Sequence, residues 1–344
     1  MTLATTAYSD NYGSTPALFA GSAMQQQHFE TVTPAEIFAA AIRIKPYIRR
    51  TPTLANRGLS QRFASNFYLK LELLQDTGAF KVRGAFNKML MLSEAEKALG
   101  VVAVSGGNHA KAVAYAARTL GIDALILMPD YTPQNYVQET LADGAAVEFH
   151  SSLAAAFDQA RKYEAAGRTL VHPFDDPAIV AGQATAGIEI LEDVPQVTDV
   201  IVSVGGGGLS CGVAAAIKAS KPEVNVWGVE TRGADSMAQA LAAGEVVELA
   251  EITSIAKTLG AQSVGRLPFK MARTHLKGVT VVEDEEAVSE IFYLLENAKV
   301  LTEPATACTI AAAERLKANF GPQSHVVAIL CGGNIGLSDL FRLR

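Results

Sequence analysis

The sequence is short of cysteine. Among 344 residues only Cys211, Cys308 and Cys331 carry a thiol. An odd number at wide spacings offers neither a disulfide framework nor metal-ligand spacing, and it fits a reducing cytoplasm. Basic runs are missing too. Lys and Arg number 29 against 35 Asp and Glu, a net charge of −6, with no extended Lys/Arg-rich run. That composition argues against nucleic acid or an anionic membrane as partner. No apolar run reaches the length needed to span a bilayer. Residues 1–29 contain no Lys or Arg, and their apolar piece PALFAGSA is short and has no basic flank, which argues against a signal peptide. This segment is expected to be a loosely ordered extension. Internal repeats, low-complexity tracts and long linkers are absent. Apolar residues, in contrast, make up 49% of the chain. That is enough to bury the core of two domains or of one large α/β unit.

From Thr33 onward the pattern alternates. Residues 32–48 carry apolar side chains at helical spacing. Strands are expected over 66–72, 101–104, 124–128, 146–149, 199–204, 224–230 and 325–331. Alanine-rich helices are expected over 109–119, 133–143, 152–165, 177–192, 208–219, 285–298 and 304–318. Alternation with near-continuous apolar strands predicts an α/β fold with mostly parallel sheets. Ligands of such sheets bind beyond the carboxyl ends of the strands. Three small-residue loops stand there: SGGNH (105–109), GGGGLS (205–210) and CGGN (331–334).

Each loop has a functional and a plain reading. Four glycines before a helix let the backbone approach a phosphate at the positive end of the helix dipole; they also make an ordinary tight turn. SGGNH supplies a hydroxyl, main-chain N–H groups and an amide for a carboxylate or a phenolate oxygen; Ser105 or Asn108 could equally cap the helix. Cys331 at a strand end reads better as a small buried residue than as a reactive thiol nucleophile, since nothing nearby in the sequence marks a lowered pKa. TGAFKVRGA (77–85) sets Lys81 among small residues and Phe80. A partly buried lysine has a lowered pKa and can attack a carbonyl; the plain reading is a solvated surface lysine. A phosphate site, an imine-forming lysine, an amide and a donor loop together suggest pyridoxal phosphate.

The motifs then carry a resemblance. TGAFKVRGA resembles the S-F-K-x-R-G-A motif of fold type II pyridoxal-phosphate enzymes, the threonine/serine dehydratase (ammonia-lyase) and serine racemase group. SGGNHAKAVAYAA, HPFDDPAIVAGQATAGIEI, VGGGGLSCG, TEPATA and CGGN follow in the family's order and spacing, from about residue 33 to the C-terminus. The resemblance implies two open, twisted, mostly parallel sheets flanked by helices, like the tryptophan synthase β chain. It assigns residues 30–97 and 178–344 to a large cofactor domain and 98–177 to a small one. It implies that Lys81 bonds the cofactor, Phe80 packs near its ring and Asn108 binds its phenolic oxygen. Gly205, Gly206, Gly207, Gly208 and Leu209 would hold its phosphate, and Cys331 would face the pyridine nitrogen. Ser105, Gly107, Asn108 and His109 would bind the substrate carboxylate. Lys81 would remove the α-proton of a 3-hydroxy-L-amino acid, the β-hydroxyl would leave, and the aminoacrylate would hydrolyse to a 2-oxo acid and ammonia. A cytoplasmic homodimer is implied as well.

Several positions depart from the family pattern. Ala79 replaces a serine, and Lys111-Ala112 replaces Gln-Gly. Gly106 stands where racemases have a serine base, which disfavours the alternative of a serine or aspartate racemase. A divalent cation is left open: Glu230 and the Ala234 carbonyl match the family's ligands, but Ser236 stands at the aspartate position. Lys257, Thr258 and Thr306 replace residues on the expected substrate side, which suggests a bulkier β-substituent, as in phenylserine or 3-hydroxyaspartate. The chain ends soon after CGGN without the regulatory domain of biosynthetic dehydratases, so a catabolic enzyme is expected.

Overall fold

The computed structural model of the protein describes residues 32–343; the expectation for residues 1–29 lies outside the described residues. Ten strands occur among them: β1 (Thr53–Ala55), β2 (Asn66–Lys70), β3 (Val101–Val104), β4 (Ala124–Pro129), β5 (Ala146–His150), β6 (Thr169–Leu170), β7 (Asp199–Ser203), β8 (Asn225–Thr231), β9 (Gly278–Val282) and β10 (His325–Ile329). They form two sheets, a six-stranded one ordered β1-β2-β10-β7-β8-β9 and a four-stranded one ordered β5-β4-β3-β6. All pairings are parallel except β1 with β2. Every residue of β3 and β7 is buried, as strands covered by helices on both faces must be.

The expected strands and helices appear with ends shifted by a few residues. Three strands escaped sequence reading. β1 and β6 have three and two residues, and β9 is a half-buried edge strand, so none makes a long apolar run. The expected 285–298 helix closes with a π turn at Leu294–Ala298.

Three helices decide how the sheets meet. The Val82–Leu90 helix begins directly after Lys81 and packs on both the Asn108–Leu120 and the Pro177–Asp193 helices. The last contact needs glycine. A Cβ on Gly182 would lie 2.7 Å from the Gly84 Cα, closer than any real contact. Val82, Ala85, Phe86 and Met89 from the first helix share one buried cluster with Val101, Ala103 and Ile126 of the small sheet. The Pro177–Asp193 helix starts where it does because Pro177 suits the first turn and the Asp176 carboxylate accepts the Ala178 amide at 2.7 Å,.

Candidate active site

The loops after β3, β7 and β10 leave the same ends of their strands and converge. The Ala79 and Gly332 backbones bridge, and the Phe80 amide donates to the Cys331 carbonyl at 3.0 Å. This places Lys81 beside the CGGN loop. Its ammonium donates to the Pro173 carbonyl at 2.7 Å and lies 5.2 Å from the Phe80 ring centroid. Burial of the amine, only weakly offset by Cys331, lowers its pKa to about 8,.

The HPFDDP segment explains itself residue by residue. Pro173 receives Lys81. Phe174 covers the glycine loop so closely that a Cβ on Gly206 would sit 2.1 Å from its ring. The Asp175 carboxylate accepts the Arg266 and Leu267 amides at 3.1 and 3.0 Å, capping the Arg266–His275 helix. The His172 Nδ1 accepts the Asp175 amide at 2.8 Å. Gly207 turns the loop into the Gly208–Ser220 helix with φ of 94°, a conformation that favours glycine. No partner is seen for the amides of Gly205, Gly206 and Gly207 among the described residues. Unpaired amides at the start of a thirteen-residue helix are what a phosphate group would satisfy.

Opposite this loop, Asn108 opens the Asn108–Leu120 helix, buried at the 6% level. Its Nδ2 donates to Glu303 Oε1 at 2.8 Å, and its Oδ1 accepts from Asn334 Nδ2 at 2.7 Å. Thr258 also donates to Glu303 Oε1, at 3.1 Å. Gly332 must be glycine here: its Cβ would meet Glu303 Oε1 at 2.7 Å and Asn108 Nδ2 at 3.2 Å. Burial pushes the Glu303 carboxyl up to about 7 against the hydrogen bonds from Thr258 and Asn108. Its Oε2 has no partner among the described residues. Cys331 keeps its proton: burial raises the thiol to about 12. Thr306 lies 3.1 Å from its sulfur and donates to the Gly332 carbonyl at 2.7 Å. Thr306 is therefore fully buried against Cys331 and the Gly332 backbone.

Ser105 closes its own loop by accepting the Gly107 amide at 3.1 Å. The His109 ring turns away from Asn108. Its Nε2 donates to the Val171 carbonyl at 2.8 Å, inside the small-sheet core, and burial lowers its pKa to about 3. The ring is neutral, and the nearby Lys81 charge also disfavours its protonation. Glu303, Asn334 and Phe174 join the site without having been assigned roles from sequence, and Thr258, expected on the substrate side, joins it beside Glu303. TEPATA and CGGN contained two of them, but no local pattern marked their partners. A surface hollow of about 370 Å³ among Val197, Thr198, Lys221 and Asn225 lies at the other ends of β7 and β8, away from these groups.

The region matching the family's cation site has a different chemistry. Glu230 is fully buried, and its two oxygens accept the Met237 and Ala238 amides at 2.8 Å each. Ser236 adds a neutral hydroxyl where a carboxylate would be needed. Among the described residues no cluster of three or more His, Cys, Asp or Glu side chains could hold a metal. One carboxylate already engaged by a helix start is a poor cage for a hard dication.

Comparison with known proteins bears on all of this. The family model described as pyridoxal-phosphate dependent enzyme matches residues 44–332. The chain is 40% identical over 319 residues to the L-threonine ammonia-lyase of Thermotoga maritima, covering 91% of this chain and 78% of that one. Among solved structures, the threonine deaminase of T.th. superposes with a TM-score of 0.83 at 37% identity, covering 88% and 99% of the two chains. Maize serine racemase superposes with a TM-score of 0.86 at 33% identity, covering 91% and 96%. With a glycine loop suited to phosphate and a lysine suited to an aldehyde at its centre, the chain belongs to the pyridoxal-phosphate dependent enzymes, in their fold type II group.

Proposed function

We propose that this protein is an ammonia-lyase that dehydrates and deaminates a small 3-hydroxy-L-amino acid, of the threonine or serine type, to a 2-oxo acid. The observation that carries the reading is Lys81. Its amine is lowered to about 8, lies beside Cys331, and shares its wall with the phosphate-type loop through Pro173 and Phe174. When bound, pyridoxal phosphate supplies an electron sink for charge developing at Cα. The residues divide the remaining work. Gly205 to Leu209 hold the phosphate, Asn108 the phenolic oxygen, and the neutral Cys331 thiol faces the ring nitrogen. Ser105, Gly107, Asn108 and the His109 main chain hold the substrate carboxylate. Lys81, part-neutral near physiological pH, takes the proton from Cα.

Small β-substituents are favoured over bulky ones. The relatives named for threonine support this over the bulkier substituent that Lys257, Thr258 and Thr306 suggested. The racemase alternative finds less support. A Cβ on Gly106 would land 2.4 Å from the Thr132 hydroxyl, so the space a serine base would need is taken. A cytoplasmic homodimer, with the cofactor domain built from 30–97 and 178–344 and the small domain from 98–177, belongs to the same proposal.

The experiment is 2-oxo acid formation by the purified, cofactor-loaded protein, offered L-threonine, L-serine, 3-hydroxyaspartate and 3-phenylserine in parallel. Turnover of L-threonine or L-serine is expected, and Lys81→Ala should abolish both turnover and the cofactor's visible absorption band. A wild-type protein that shows the band but yields no oxo acid from any of the four refutes the dehydratase reading.

A further inference from the structure

Lys111 is the departure with the most unusual surroundings. It lies one turn into the Asn108–Leu120 helix and is only 8% exposed, a rare place for a lysine. Its ammonium donates to Asn334 Oδ1 at 2.9 Å and pairs with Glu139, half-exposed on the Gln134–Ala142 helix. Asn334 passes the chain on. Its Nδ2 donates to Asn108 Oδ1 at 2.7 Å and to the Thr77 carbonyl at 2.8 Å. Asn108 Nδ2 then donates to Glu303 Oε1 at 2.8 Å. Gly78 makes the arrangement possible, since a Cβ there would sit 2.4 Å from Asn334 Oδ1.

Every hydrogen bond in this chain points the same way, from an ammonium through two amides to a carboxyl. Lysine has donors only, so the amide oxygen of Asn334 must face it. A glutamine, the residue that the resemblance has here, could present either end of its amide. In a buried, low-dielectric chain each dipole also polarises the next.

We propose that Lys111 is a positioning residue: through Asn334 its ammonium orients the Asn108 amide towards the Glu303 carboxyl and lends its charge to that side of the site. This rests on the functional reading above, which places Asn108 at the cofactor. Thr258 and Asn108 favour the Glu303 carboxylate by hydrogen bonding, and Lys111 favours it by charge. Tyr136 of the Gln134–Ala142 helix, Cys331 after β10 and Cys308 of its own helix are all neutral, their pKa values raised by burial. Lys111 opposes the effect of burial on Glu303. Removing the lysine charge therefore makes Glu303 easier to protonate. Removing the Glu139 charge, which otherwise offsets Lys111, makes it harder.

The signs separate this from a merely structural ion pair. Lys111→Met and Glu139→Gln break the same bridge, so a structural role would make them behave alike. The measurement is the pH dependence of kcat/KM, paired with a pH titration of the holoenzyme's visible absorption band. Glu303→Gln identifies the midpoint by removing it. Lys111→Met is expected to raise that midpoint by at least about half a pH unit, Glu139→Gln to lower it, and Lys111→Arg to restore the wild-type value. Shifts of the same sign, or none, overturn the proposal. If Lys111→Met gives no folded holoenzyme, the sign of the Glu139→Gln shift decides alone. A wild-type protein that takes up no cofactor would overturn the functional reading itself, and this proposal with it.

Discussion

Replacing Arg83 with methionine would remove the centre of a fully buried charge network two residues from Lys81. The guanidinium uses its fork on both sides. It donates to both Glu72 oxygens at 2.7 Å, to both Glu189 oxygens at 2.8 Å and to Thr185 at 3.0 Å. Lys70, also fully buried, pairs with Glu189 and donates to the Thr51 carbonyl at 2.7 Å. Two cations thus balance two carboxylates out of water. Removing one cation leaves an uncompensated buried carboxylate, at a cost of about 3–5 kcal/mol. At about 2 °C per kcal/mol for a chain of this size, the melting temperature at pH 7 should fall by roughly 6–10 °C.

The pH dependence has a definite sign. Burial pushes Glu72 up, but Arg83, Lys70 and Thr51 together hold it at about 2, below its unfolded value of about 4.3. In the wild type this contribution is complete above the unfolded value and is lost as pH falls towards 2. Without Arg83, burial dominates, Glu72 rises above its unfolded value, and protonation relieves the penalty as pH falls. Melting curves of both proteins from pH 4 to pH 8 should show the gap widest at neutral pH and narrowing towards pH 4. A loss below about 2 °C at pH 7, or a gap independent of pH, would refute Arg83 as the keystone of the network.

Two further outcomes are expected. Gly206→Ala drives a methyl into the Phe174 ring, with a Cβ 2.1 Å from it; overpacking of about 1–3 kcal/mol predicts a cofactor affinity weaker by roughly 5- to 150-fold in an absorption titration. Dialysis against EDTA should change neither turnover nor melting temperature, because Glu230 already spends both oxygens on amides; a loss restored by Mg²⁺ or Ca²⁺ would contradict this.

The parts of the site that could be read from the sequence are those with local chemistry. Four glycines before a helix, Asn108 at a helix start, and Lys81 ahead of a helix all announce themselves within a few residues. Adjacency alone did not reveal where the His109 ring points. One helical step of rotation sends its ring to Val171 while Asn108 faces the loops,. Thr306 is held beside Cys331 because its hydroxyl is claimed by the Gly332 backbone, a pairing its sequence position does not reveal. Glu303 pairs with Asn108 across 195 positions and Asn334 with Asn108 across 226, distances over which no periodicity or motif carries information. The short edge strands β1, β6 and β9 were missed because partial burial demands no continuous apolar run.

The amino-acid sequence by itself determined the parallel α/β architecture, the strand ends where the candidate site lies, and an inventory of groups suited to an aldehyde, a phosphate and a carboxylate. Backbone sterics, hydrophobic periodicity and helix-start chemistry act over a few residues, so they are written locally. Only the tertiary structure decided which charges those groups carry and which partners they have. Lys81 near 8, Glu303 near 7 and a proton kept on Cys331 are consequences of desolvation by distant segments. The line from Lys111 to Glu303 exists only where parallel crossovers bring three separate segments together: the Asn108–Leu120 helix, the CGGN loop and the start of the Pro304–Leu316 helix.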